Sequence, residues 1–225
     1  MHDRASRDFV DLSHTVEDGM ITYKGFPAPI ICDYLSREDS RKRYAPGTEF
    51  QIGKLEMVAN TGTYIDSPFH RFADGKDVSQ LALRSIADVE GVVVRMRKRS
   101  HRAITSAALA GLDVRGKAVL IDTGWDALWR TDAYFEGHPF LTADAAQYLV
   151  DGGAVLAGID SLNIDDTSTG ERPVHSALLQ HEILIVEHMC HLDRIPNRGF
   201  RFHAVPVKVK HFGSFPVRAF AIVER

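Results

Sequence analysis

The 225-residue sequence predicts a mixed α/β fold, a mixed sheet or small barrel with flanking helices, and three observations point to it. Strand-length apolar runs outnumber helical patterns. Helix-then-strand alternation is confined to the middle of the chain. No proline-rich, serine-rich or charge-block stretch interrupts the sequence, so residues 1–225 read as one domain whose 44% hydrophobic content can bury a full core.

The elements follow in order. Residues 51–58 (QIGKLEMV) alternate well enough for a half-buried strand. Residues 91–96 (GVVVRM) and 118–121 (AVLI) are β-branched or apolar runs suited to inner strands. Between them Thr105 can cap a short helix ending near Gly111. Thr142 and Asp144 start a second helix, TADAAQYLVDGG, which Gly152 and Gly153 stop. Residues 154–159 read as another buried strand, and further strands are expected over 183–187, 201–210 and 216–223.

Bulk properties exclude several function classes. A formal charge of −3 leaves no basic footprint for nucleic acid or anionic lipid. Cys32 and Cys190 lie in no metal or redox spacing, which argues against a disulfide framework and for a reducing compartment. The start, MHDRASRDFVDLSH, lacks the apolar run of a signal peptide. No stretch approaches the ~18 apolar residues of a membrane span. The expectation is a soluble cytoplasmic protein that binds neither nucleic acid nor membrane.

Chemistry concentrates in Asn60–His70, NTGTYIDSPFH. Gly62 permits a turn with positive φ, and Thr61 and Thr63 can bond the backbone around it. Pro68 pushes Ser67 towards an extended conformation. If residues 66–70 are extended, Asp66, Pro68 and His70 share one side. Asp66 then offers a hard oxygen ligand, and His70 can move protons at the same centre. The plainer alternative has Asp66 capping a turn and His70 on a solvated loop.

The segment resembles the HxGTHxDxPxH signature of the cyclase family of metal-dependent hydrolases. The resemblance extends through Asp11-Leu-Ser-His14 with Asp18-Gly-Met20, Asp122-Thr-Gly-Trp125, Gly158-Ile-Asp-Ser161, and Pro173-Val-His175 with Ile185-Val-Glu187. It implies a swivelling β/β/α fold, a homo-oligomer, and hydrolysis of an amide- or ester-type bond in a small aromatic substrate. The best-known option is an arylformamidase of the N-formylkynurenine class. By the same resemblance Asp66, His175 and Glu187 are metal ligands and His70 transfers protons. The two remaining ligand histidines are replaced by Asn60 and Tyr64. An amide oxygen is a weak ligand and a phenol with a pKa near ~10 a poor one. The expected cofactor is therefore a single Zn²⁺ or Mn²⁺ with an open position, and Asn60 and Tyr64 are expected to contact substrate. Two alternatives use the same pocket: a polyketide-type cyclase or lyase, and a degenerate small-molecule binder.

Other candidates carry less. HEILIVEHMCH (residues 181–191) is not HExxH; its strand-like ILIV sets Ile183, Ile185 and Glu187 on one face and Leu184, Val186 and His188 on the other. His181, His188, Cys190 and His191 are expected to be structural or solvated. Trp125 either lines the pocket mouth as a substrate contact or packs on the core. His14 reads as a satisfied structural histidine. Tyr23 and Phe26 either wall an aromatic substrate or cover a core or dimer partner, and Arg41–Arg43 is a solvated face.

Overall fold

The computed structural model describes residues 7–97 and 101–224. The chain begins with β1 (Arg7–Asp11), then forms β2 (Ile30–Leu35), the short helix α1 (Arg37–Arg41) and β3 (Ile52–Glu56). There follow β4 (Tyr64–Asp66), β5 (Val89–Arg95), β6 (Ala103–Ile104), β7 (Ala118–Asp122) and β8 (Phe140–Leu141). Helix α2 (Ala143–Gly152), β9 (Leu156–Ile159), α3 (Pro173–Gln180) and β10 (Leu184–Glu187) form the alternating centre. The chain closes with β11 (Phe200–His203), β12 (Ser214–Pro216) and β13 (Phe220–Glu224).

Nine strands make one curled mixed sheet in the order β1-β13-β11-β5-β7-β9-β10-β4-β12. The four central strands run parallel and the flanks antiparallel. Parallel strands are covered on both faces, and β7 and β10 are buried at every residue. On one face Val119, Ile121, Ile183 and Ile185 pack with Leu149 of α2 and Leu178 of α3. On the other, Leu120, Leu184 and Val186 meet Ile65, Phe200 and Phe202. The alternation read over 183–187 thus holds.

Several expected elements differ in detail. Thr105 begins only a single 3-10 turn, Ser106–Ala108, too short for an α-helix. The strand expected over 201–210 stops at His203, and the one over 216–223 divides into β12 and β13. β3 is exposed throughout because it pairs only with β2 in a separate ribbon, so the half-buried reading of 51–58 does not hold. Residues 66–70 are not extended: β4 ends at Asp66, and Pro68–His70 forms a 3-10 turn with proline at its start, where a missing N–H costs nothing. Cys32 and Cys190 are both free. Among the described residues no helix is long and apolar enough to cross a membrane.

Candidate active site

Three neighbouring strands lay out the site. In the β10-β4-β12 register Glu187 lies opposite Tyr64, and Ser214 opposite Asp66. Tyr64 and Asp66 are two residues apart on β4, so their side chains share a face, the one that Ile185 presents to the helices. Helix α3 brings His175 onto that face. The turn at Pro68–His70 then folds His70 back until its Nδ1 is 3.8 Å from Asp66 Oδ1. Gly213 permits this fold: a Cβ there would stand 2.5 Å from the His70 Cα.

Ser214 settles the state of His70. Its hydroxyl donates to Asp66 Oδ1, and its oxygen is 2.9 Å from His70 Nδ1. A hydroxyl has one proton, so the serine oxygen accepts from His70 Nδ1–H. In the neutral imidazole that tautomer leaves the Nε2 lone pair free. At 36% side-chain exposure His70 keeps contact with solvent.

Asp66 and His175 form the buried centre. Asp66 Oδ2 is buried without a hydrogen-bond partner among the described residues and lies 3.6 Å from His175 Nε2. Glu187 Oε1 is 3.7 Å from the same nitrogen. Asp165 fixes the imidazole from behind, its Oδ2 2.6 Å from His175 Nδ1, while accepting the Val174 and His175 backbone amides at 2.8 and 2.9 Å. Burial opposes charge on His175, but Asp165, Asp66 and Glu187 overcome it and push its pKa up to about 10. The cavity draws in positive charge.

Glu187 belongs to a second set of contacts. Tyr64 Oη donates to its Oε2 at 2.5 Å, and the Ile164 amide donates to Oε1 at 2.6 Å. The Tyr23 hydroxyl lies 3.4 Å from that of Tyr64 and accepts from Asn163 Nδ2 at 2.9 Å. Burial, then the charge of Glu187, holds the Tyr64 phenol well above its ordinary range. It stays a neutral donor.

These residues have the donor chemistry of a cation site. An unpartnered carboxylate oxygen facing an imidazole that is oriented by a carboxylate is the donor arrangement of a divalent metal site. Asp66, His70 and His175 each offer a ligand atom within 4.8 Å of the others, and Glu187, outside that group, has its Oε1 3.7 Å from His175 Nε2. At the two substituted signature positions Tyr64 is spent on Glu187, and Asn60 Nδ2 lies 3.4 Å from Ser214 Oγ.

The pocket at this centre is lined by Tyr23, Phe26, Asn60, Tyr64, Asn163, Thr167 and Arg172, together with His70, His175 and Glu187. Trp125 is not among its lining residues; the indole donates to the Tyr134 carbonyl at 2.9 Å. The motif that carries Trp125 works structurally, since the Thr123 and Gly124 amides clasp buried Asp160 at 2.9 and 2.7 Å. His14 stacks on Trp129 at 4.0 Å, yet its Nε2 is buried and unpartnered among the described residues, so it is not a satisfied histidine. His181 is exposed, and His188 is buried against Tyr134. Sequence reasoning missed Asp165, Asn163, Arg172 and Ser214. Only Asp165 left a signal: Pro173 marks a helix start whose free amides need an acceptor.

The family model Cyclase, described as "Putative cyclase", matches residues 10–166. A kynurenine formamidase of Bacillus cereus is 28% identical over 214 residues, spanning 94% of this chain and 96% of that protein. Among solved structures, an isatin hydrolase bound to the product analogue thioisatinate superposes with a TM-score of 0.83 at 21% identity, covering 97% of this chain and 93% of the other. A predicted metal-dependent hydrolase from Bacillus stearothermophilus gives 0.76 at 25% identity, over 97% and 99%. The signature segment, the site laid across three strands and the family match agree: this chain belongs to the cyclase family of metal-dependent hydrolases.

Proposed function

We propose that the protein is a mononuclear metal-dependent amidase that hydrolyses the formyl C–N bond of a small aromatic amide, the N-formylkynurenine class being the leading candidate. One observation carries the reading: the orphaned Asp66 Oδ2 faces His175 Nε2 at 3.6 Å, with His70 beside it. Asp66, His175 and Glu187 would hold the cation, and one imidazole with two carboxylates suits Zn²⁺ or Mn²⁺. When bound, such an ion supplies Lewis acidity, polarising a carbonyl and making water easier to deprotonate.

The remaining work falls to side chains of the chain. His70 Nε2 takes a proton from the attacking water and delivers it to the leaving nitrogen, so that formamide and water become formate and amine. The Asn60 amide orients the carbonyl and stabilises charge developing on its oxygen, and Tyr64, whose proton is held by Glu187, contacts substrate through its ring. Tyr23 and Phe26 stack on the aromatic body. The active form is a homo-oligomer. The β2–β3 ribbon leaves Ile30, Ile31, Tyr34, Ile52 and Leu55 exposed, and a two-stranded ribbon is marginal without cover.

Elemental analysis of protein purified without added metal, combined with a formanilide hydrolysis assay and solution mass, tests the proposal. About one equivalent of metal, formate release and a mass of two or more chains are expected. Two equivalents would overturn the ligand count. Metal without hydrolysis of any formyl-anilide would favour the ring-closing alternative, and neither metal nor turnover the binder.

A further inference from the structure

Among the described residues Arg172 is the one guanidinium lining the pocket, and its contacts are lopsided. Nη1 donates to the carbonyls of Asp166, Thr169 and Glu171 at 3.3, 2.8 and 2.6 Å. Neither Nε nor Nη2 has a hydrogen-bond or ion-pair partner among the described residues. Several other arginines are matched by carboxylates, with Arg95 and Arg97 sharing Asp122, Arg102 meeting Asp166, Arg130 meeting Glu17 and Arg218 meeting Asp11, whereas the described arginines without a partner are exposed. Arg172 is half-buried. Three carbonyls on one nitrogen fix the guanidinium plane, so a second pair of hydrogen bonds can form at little further cost in side-chain entropy.

We propose that the Nε–Nη2 edge of Arg172 is a carboxylate-binding subsite, and that the preferred substrate is an aromatic amide carrying a carboxylate. This rests on the amidase reading above and narrows it. The two N–H groups of that edge match the two oxygens of a carboxylate. The aromatic wall of Tyr23 and Phe26 lies in the same pocket, so ring and anion are recognised by separate surfaces. Without its partner the charge stays unmatched, and a neutral substrate gains nothing from it.

The test compares formanilide with 2-, 3- and 4-formamidobenzoate on the wild type and on Arg172→Gln and Arg172→Lys. At least one carboxylated isomer is expected to exceed formanilide in kcat/KM. Arg172→Gln should lower that ratio about 10- to 100-fold, through KM more than kcat, and Arg172→Lys should restore part of it. Loosening of the 166–171 loop would slow both substrates alike, so the ratio isolates the subsite. An unchanged ratio in Arg172→Gln would overturn the proposal. Should no formyl-anilide be hydrolysed, the amidase reading fails instead, and calorimetric titration with benzoate still decides the subsite. Binding weakened at least 10-fold in Arg172→Gln supports it, and equal binding refutes it.

Discussion

Two histidine neighbourhoods meet at the end of β10, and they treat the imidazole in opposite ways. Glu187 points to His175, which three carboxylates surround, raising its pKa to about 10. The next residue, His188, turns into a box of Tyr23, Tyr64, Trp129 and Tyr134 rings at 5.2–5.7 Å, and burial lowers its pKa well below the usual histidine range. His14, stacked on the same Trp129, is lowered to about 4 by burial and by His191. The residue type is shared; the neighbours decide between a centre that attracts cations and a wall that excludes charge. Function is expected only on the carboxylate side.

The sharpest way to break this contrast is His70→Ala. A general acid–base group contributes about 10²- to 10⁴-fold, so formanilide turnover should fall by that much. Metal content should stay near one equivalent if Asp66, His175 and Glu187 are the ligands, as proposed. Loss of the metal together with activity would make His70 a ligand and shrink the role of Glu187. His175→Ala should instead remove both at once.

Strand alternation explains how much of this could be read in advance. Ile183, Ile185 and Glu187 were placed on one face by period two alone, and the packing agrees. An extended 66–70 predicts that Asp66 and His70 share a side, and they do come together, but through a 3-10 turn. Ser214 was invisible because its partner Asp66 is 148 residues away, and only sheet order brings the two strands together. Arg172 and Asn163 were missed because loop residues carry no periodicity. Trp125 stood in a motif whose role is to clasp Asp160, and spacing cannot tell a clasp from a contact with substrate.

The aromatic side is tested by acid stability. With a folded pKa of about 4 against 6.5 when unfolded, His14 binds fewer protons in the native state between those values. Its contribution is complete above pH 6.5 and is lost as pH falls towards 4. The gap of about 2.5 pH units corresponds to at most about 3 kcal/mol. His14→Phe keeps a ring against Trp129 and removes the titrating nitrogens. Its melting temperature should therefore fall less steeply than the wild type's between pH 6.5 and 4, with turnover at pH 7.5 little changed. Equal acid sensitivity in both proteins would show that the box does not exclude charge at His14.

The smallest effect lies where the two neighbourhoods touch. Tyr64 faces both, its hydroxyl on Glu187 and its ring 5.4 Å from His188. Tyr64→Phe removes one donor from a buried carboxylate that keeps the Ile164 amide. A hydrogen bond to a charged group is worth about 1.5–3 kcal/mol, and the surviving partner places the expected loss in chemical denaturation at the lower end, about 1.5 kcal/mol. The metal count should stay at one. Asn60→His with Tyr64→His is the complementary change, because it replaces the donor with a ligand and frees Glu187 Oε2. A rise towards two equivalents would mean that this phenol is what keeps the second cation out. A count that stays at one would mean that the surrounding Tyr23–Asn163 contacts have closed the space as well, and that the aromatic wall reaches as far as Glu187.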